Sequence, residues 1–152
     1  VPRQSPPEFA GRPAAHCRVR VGVDLVDVER LERLLGANPG AADELFTVAE
    51  QAYCEGKRRR VEHLAARFAA KEAVLKAFGT GLGQRMRWTD VEIVNTPLGR
   101  PTVRLDGAVA ARARERGVSE VEVSLTHTAG LAMAQAVVVS RTERRDQACV
   151  ST

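Results

Sequence analysis

Apolar and polar positions alternate at the start of the regular part of the chain. In RVRVGVDL, Val19, Val21, Val23 and Leu25 are interleaved with Arg18, Arg20, Gly22 and Asp24. That period of two predicts a strand, with Asp24 pointing away from the valine face near the strand's end. Asp27 then caps a helix over Val28 to Leu35, with Val28, Leu31 and Leu35 inward and Arg30 and Arg33 on an outer face. GANPG breaks the chain. Thr47 and Glu50 fit a T-x-x-E capping box for a short helix through Cys54.

From Leu64 to Phe78 the pattern changes. LAARFAAKEAVLKAF is apolar in nearly every direction around a helix, with four charges, Arg67, Lys71, Glu72 and Lys76. A surface helix segregates its charges to one face; this one reads as buried. Charges in a buried helix are costly unless paired or bound to a ligand. Gly79 ends the helix and opens the loop GTGLGQ. Strands follow over Val91 to Asn95 and Thr102 to Leu105, joined by the TPLGRP turn. Asp106 caps a helix to Arg116, and a hairpin pairs Glu120–His127 with Leu131–Ser140. Mostly antiparallel strands without regular interleaving of helices predict an α+β fold, a sheet packed with one long buried helix and shorter helices.

At 152 residues the chain is long enough for one domain with its own core. Residues 1–17 read as an irregular N-terminal extension, 18–140 as the domain, and 141–152 as a polar tail. Aromatic residues are only 4%, so Val, Leu and Ala must build the core. A net charge of +4 favours anionic partners without choosing among them. The three cysteines, Cys17, Cys54 and Cys149, lack metal-ligand spacing and read as reduced thiols of a cytoplasmic protein. No apolar run approaches the ~20 residues of a membrane span, and no secretory signal is visible.

Candidate chemistry centres on Asp24 and Glu72. A carboxylate at a strand's end and another in a buried helix can meet and hold Mg²⁺, which takes oxygen ligands and binds substrate phosphates. The plainer alternative pairs Glu72 with Lys76 in the favoured i, i+4 order. Lys71 falls in the apolar stripe, where a lysine stem can snorkel to water. Ala65, Ala69 and Ala73 beside Glu72 and Lys76 would let a ligand or another chain approach closely. The GTGLGQ loop follows a helix instead of opening one, so it matches no dinucleotide or P-loop pattern. Alternation puts His127 on the face of Val121, Val123 and Leu125, as either a core residue or a phosphate or ribose contact. Arg30 and Arg33 are either solvated or grip an acidic partner.

Four segments together, GVDLVDVER (Gly22 to Arg30), RFAAKEAVLKAFGTG (Arg67 to Gly81), GRP (Gly99 to Pro101) and SLTHT (Ser124 to Thr128), resemble the holo-acyl-carrier-protein synthases, the short type of 4′-phosphopantetheinyl transferase. The resemblance spans about Arg18 to Val139. It implies transfer of 4′-phosphopantetheine from coenzyme A to a serine of an apo acyl carrier protein, leaving adenosine 3′,5′-bisphosphate. Asp24 and Glu72 would hold Mg²⁺ on the pyrophosphate, and Lys76 would stabilise the same phosphates. Arg67, Gly79, Thr80, Gly81, Arg100, Pro101, His127 and Thr128 would line the coenzyme A site. Arg30 and Arg33 would meet the acidic carrier. Glu72, a metal-bound water or another carboxylate could take the serine's proton. The family is typically a homotrimer with sites at subunit interfaces, implying that a neighbouring chain covers part of the long helix.

The chain departs from the family after the first helix. GANPGAADELF has no basic residue and adds Asp43 and Glu44, which points to a dedicated carrier, such as a polyketide carrier. Thr126 stands where a serine is common. Two rival readings are a non-catalytic coenzyme A or carrier-binding module and a small basic RNA-binding domain. Intact Asp24, Glu72 and Lys76 argue against the first, and scarce stacking aromatics against the second.

Overall fold

The computed structural model describes residues 16–142 apart from Gln84 and Ala129. Its elements run in the order β1 (His16–Asp27), α1 (Val28–Ala37), α2 (Ala41–Leu45), α3 (Val48–Glu55), α4 (Arg60–Phe78), a 3₁₀ turn (Trp88–Asp90), β2 (Val91–Asn95), β3 (Pro101–Leu105), α5 (Gly107–Glu115), β4 (Val118–Thr128) and β5 (Leu131–Thr142). β5 lies between β1 and β4 in one antiparallel sheet, and β2 and β3 form a separate hairpin. The α+β expectation therefore holds. No helix among the described residues is long and apolar enough to cross a membrane.

Local signals set most element ends. The Asp27 side chain accepts from the Arg30 N–H at 2.8 Å and caps α1. Thr47 and Glu50 close the capping box of α3 from both sides. Gly79 leaves α4 with φ 69°, a left-handed conformation that glycine adopts without a Cβ penalty. Several ends differ from the sequence reading, those of β1 and β5 among them. β1 and β5 pair in register from His16 opposite Thr142, so the strands run two residues beyond Arg18 and Ser140. Backbone ladders are indifferent to the polar side chains there, and each strand end supports the other. The rest of the expected extension and tail, with Cys149, lies outside the described residues. α2 was not expected; buried Leu45 and Phe46 anchor it to the core.

α4 is the centre of the molecule. On one side it packs against β1, β5 and β4; on the other it meets α1, α3 and β2. Its alanines face the molecule's own sheet: Ala65, Ala69 and Ala73 are fully buried. The close approach is made by Gly22, where a Cβ would fall 1.9 Å from the Ala73 carbonyl oxygen. The chain's own elements bury both sides, because small residues on helix and sheet let the backbones touch.

The uncovered apolar surface lies elsewhere. Val19, Val21, Val23 and Leu25 line the outer face of β1, each at least 45% exposed, with exposed Leu131 and Met133 on β5. Inward positions of β5 are small, Ala132, Ala134 and Ala136, followed by Val138. An antiparallel sheet with one solvated face normally shows polar residues there, so this apolar stripe is unusual.

Lys71 does not snorkel. Its ammonium lies 2.7 Å from Glu50 Oε2, and both side chains are fully buried. Lys71 also donates to the Trp88 carbonyl at 3.0 Å, while Glu50 accepts the Ile93 and Thr47 N–H groups at 2.9 Å each. Burial pushes the Lys71 pKa down, with Glu50 acting against that shift. Every strong donor in this knot has an acceptor, which makes the buried pair tolerable. It ties α3, α4, the 3₁₀ turn and β2 together.

Candidate active site

Three side chains converge where the end of β1 crosses the middle of α4. Lys76 Nζ lies 2.7 Å from Asp24 Oδ1 and donates to the Val23 carbonyl at 3.2 Å. The hydrogen bond to Asp24 raises the Lys76 pKa. Glu72 sits one turn earlier on α4 and is partly buried. Burial pushes its carboxyl pKa up, the Asp24 charge adds to that, and Lys76 offsets part of it. The i, i+4 alternative is not what forms: Lys76 reaches across to β1, because the strand brings Asp24 within contact. Two carboxylates against one ammonium leave local negative charge facing a cleft of about 550 Å³. Asp27, Arg30, Phe68 and Leu131 line the same cleft.

The donor set suits a hard divalent cation such as Mg²⁺. It offers carboxylate oxygens, and one of them is penalised by burial beside a like charge. No group of three His, Cys, Asp or Glu side chains forms among the described residues. Asp24 and Glu72 would therefore hold a cation whose other ligands come from water or substrate.

The remaining expected site residues fall in other places. Arg67 is buried, its guanidinium 4.1 Å over the Tyr53 ring, and it donates to Asn95 Oδ1 at 2.5 Å. His127 Nδ1 lies 2.9 Å from Glu62 Oε2, and the His63 ring meets the His127 ring edge-on at 5.1 Å. His63 in turn packs on Tyr53. Arg67 and His127 thus share one patch around the first half of α4. His127 keeps the face that alternation assigned it, at the rim. Glu62 and Glu72 are ten residues apart on α4, so the Glu62–His127 contact lies about 15 Å along the helix from the carboxylate pair, with Arg67 midway between. Arg100 is exposed and pairs with Glu122 at 2.6 Å, with Pro101 opening β3. Gly79 and Gly81 have positive φ, and Thr80 between them has a buried hydroxyl without a hydrogen-bond partner. Thr128 is exposed at the end of β4. Arg33 leans on Glu29 at 3.7 Å, outside the cleft that Arg30 lines.

Sequence reasoning missed Tyr53, Asn95, Glu62 and His63 around Arg67 and His127. Each lies far along the chain from the residue it supports or carries no motif, so periodicity held no signal for them. The chain's lone tyrosine was the one compositional hint.

Residues 20–136 match the family model described as the 4′-phosphopantetheinyl transferase superfamily. The holo-[acyl-carrier-protein] synthase of Salinispora arenicola is 51% identical over 119 residues, covering 78% of this chain and 96% of that protein. The corresponding synthase of Moorella thermoacetica is 47% identical over 122 residues, covering 80% and 94%. The crystal structure of the Helicobacter pylori synthase in complex with coenzyme A superposes with a TM-score of 0.69 at 26% identity, covering 78% of this chain and 98% of that one. With the carboxylate pair seated between β1 and α4 and the match running from Arg20 to Ala136, the chain belongs to the 4′-phosphopantetheinyl transferase superfamily.

Proposed function

We propose that the protein is a Mg²⁺-dependent holo-[acyl-carrier-protein] synthase that moves 4′-phosphopantetheine from coenzyme A to a serine of an apo acyl carrier protein. The Asp24–Glu72 pair beside Lys76 carries this reading, supported by the printed function of the relatives. The serine oxygen forms a bond to the β-phosphorus of coenzyme A. The bond from that phosphorus to the bridging oxygen breaks, and adenosine 3′,5′-bisphosphate leaves with the electron pair. Mg²⁺ would supply charge neutralisation on the pyrophosphate. Lys76, held on Asp24 at 2.7 Å, would add a second positive charge beside the carboxylates. Glu72, whose pKa burial and the Asp24 charge raise, is one candidate to accept the serine proton.

The assembly belongs to the same proposal: a homotrimer with sites between subunits. The uncovered stripe from Val19 to Leu25 with Leu131 and Met133 supports it. So does the distance, about 15 Å along α4, between Glu72 and the Glu62–His127 contact within one chain. One subunit would present the carboxylates and its neighbour the nucleotide-binding patch, with Arg100 and Pro101 nearby. Arg30, at the rim of the cleft, would meet the acidic carrier, with Arg33 beyond it. The stretch GANPGAADELF after the first helix has no basic residue and adds Asp43 and Glu44, which favours a dedicated carrier such as a polyketide carrier. The reaction would take place in the cytoplasm, where Cys17 stays reduced.

Intact-mass spectrometry of apo carrier proteins incubated with the protein, coenzyme A and Mg²⁺ tests this directly, with an EDTA control. A metal-dependent gain of one phosphopantetheine is expected. No gain on either fatty-acid or polyketide carriers, with coenzyme A still bound, would establish a non-catalytic binding module instead.

A further inference from the structure

His127 has a partner whose geometry goes beyond that reading. Glu62 lies in the first turn of α4 and is largely buried; its Oε2 is 2.9 Å from His127 Nδ1. The same oxygen accepts from Arg59 Nη1 at 3.4 Å. His63 closes the other side of the ring, edge-on at 5.1 Å. With Nδ1 engaged, Nε2 is the only ring nitrogen left for a ligand. With the Glu62 carboxylate accepting at Nδ1, the ring can also donate to an anionic ligand through Nε2 only when both nitrogens carry a proton.

We propose that Glu62 is a positioning residue: it takes the Nδ1–H of His127 and so turns Nε2–H toward a phosphate of the bound nucleotide. The inference rests on the reading of the protein as a coenzyme A-dependent transferase, and it adds a residue to that reading. Glu62 does not touch the substrate. It fixes the ring's orientation from behind and supplies the counter-charge for the imidazolium in the complex. Arg59 donates to the same carboxylate oxygen and helps to orient Glu62.

Binding of coenzyme A by calorimetry, with ¹⁵N NMR of the His127 ring in the complex, tests this on wild type, Glu62→Ala, Glu62→Gln and His127→Ala, and on the double variant Glu62→Ala/His127→Ala. Loss of one charge-assisted contact predicts roughly tenfold weaker binding for Glu62→Ala, with only one of the two ring nitrogens protonated in the complex. Glu62→Gln keeps an acceptor oxygen and recovers part of the affinity. In the His127→Ala background, Glu62→Ala adds no further loss, because it acts through the ring. Additive losses, or an unchanged ring signature in Glu62→Ala, would overturn the proposal while leaving the transferase reading intact. A wild-type protein that binds no coenzyme A would overturn both. Thermal melts of each variant separate a folding defect from a binding one, and Glu62→Gln, nearly isosteric, keeps the test open if Glu62→Ala unfolds.

Discussion

Adding one methyl group at Gly22 should damage both the fold and the site. A Cβ there would lie 1.9 Å from the Ala73 carbonyl oxygen and 2.7 Å from the Ala77 nitrogen, both backbone atoms of α4. Neither can rotate aside as a flexible side chain would. Restoring an ordinary contact of about 3.4 Å needs roughly 1.5 Å of movement between β1 and α4. Overpacking of this kind costs about 1–3 kcal/mol, and rigid backbone on both sides puts Gly22→Ala at the upper end. That is a large share of a typical total of roughly 5–15 kcal/mol. Asp24 is two residues along the same strand, and its 2.7 Å contact with Lys76 spans the same gap. A displacement near 1 Å at a reacting centre can cost about 10²-fold in rate. Urea unfolding should therefore show a loss of about 3 kcal/mol. In the refolded variant, transfer to an apo carrier should fall about 10²-fold with Mg²⁺ saturating. A Gly22→Ala protein within 0.5 kcal/mol of wild type and with unchanged turnover would refute the reasoning, since the strand would then have room that the packing denies it.

Asp24→Ala or Glu72→Ala should lower turnover by roughly 10²-fold or more, the scale of losing key electrostatic stabilisation; near-normal rates at saturating Mg²⁺ would remove that residue from the metal role. Glu72 titrates above its ordinary value of 4.5, so its contribution to the stability of the metal-free protein is present below that value and fades as pH rises through the shifted pKa. Added Mg²⁺ should raise the melting temperature at neutral pH and lose that effect on acidification, because proton and cation compete for one carboxylate; a pH-independent Mg²⁺ shift in Glu72's range would contradict this. Lys71→Ala should destabilise by about 3–5 kcal/mol in urea titrations, because Glu50 would be left charged and buried, and a change under 1 kcal/mol would mean the knot is not holding α3 to β2. Val21→Glu, on the uncovered face, should leave the monomer folded by circular dichroism but abolish assembly in analytical ultracentrifugation; an unchanged oligomer would place the subunit contact elsewhere.

The elements were legible in the sequence because their signals are local. Alternation from Val19 to Leu25, the Asp27 cap, the Thr47–Glu50 box and the Gly79 stop each involve residues within one or two turns of one another. β2 starts and ends where the apolar run does. The short α2 was not legible, since tertiary burial of Leu45 and Phe46 holds it, not its own five residues. The carboxylate pair could be named from the motif resemblance, but its neighbours could not.

The sequence alone determined where most strands and helices lie and that α4 is buried, because period, caps and breakers act through the nearest few residues. Only the tertiary structure decided how the faces are used. A period of two defines two faces of β1 without saying which is covered, and the glycine at 22, not the valines, chose the side that meets α4. Likewise each charge on α4 had several possible partners. Long-range packing settled them: Lys76 on Asp24, Lys71 on Glu50 and Arg67 over Tyr53, because each pair joins segments that meet only when the whole chain folds.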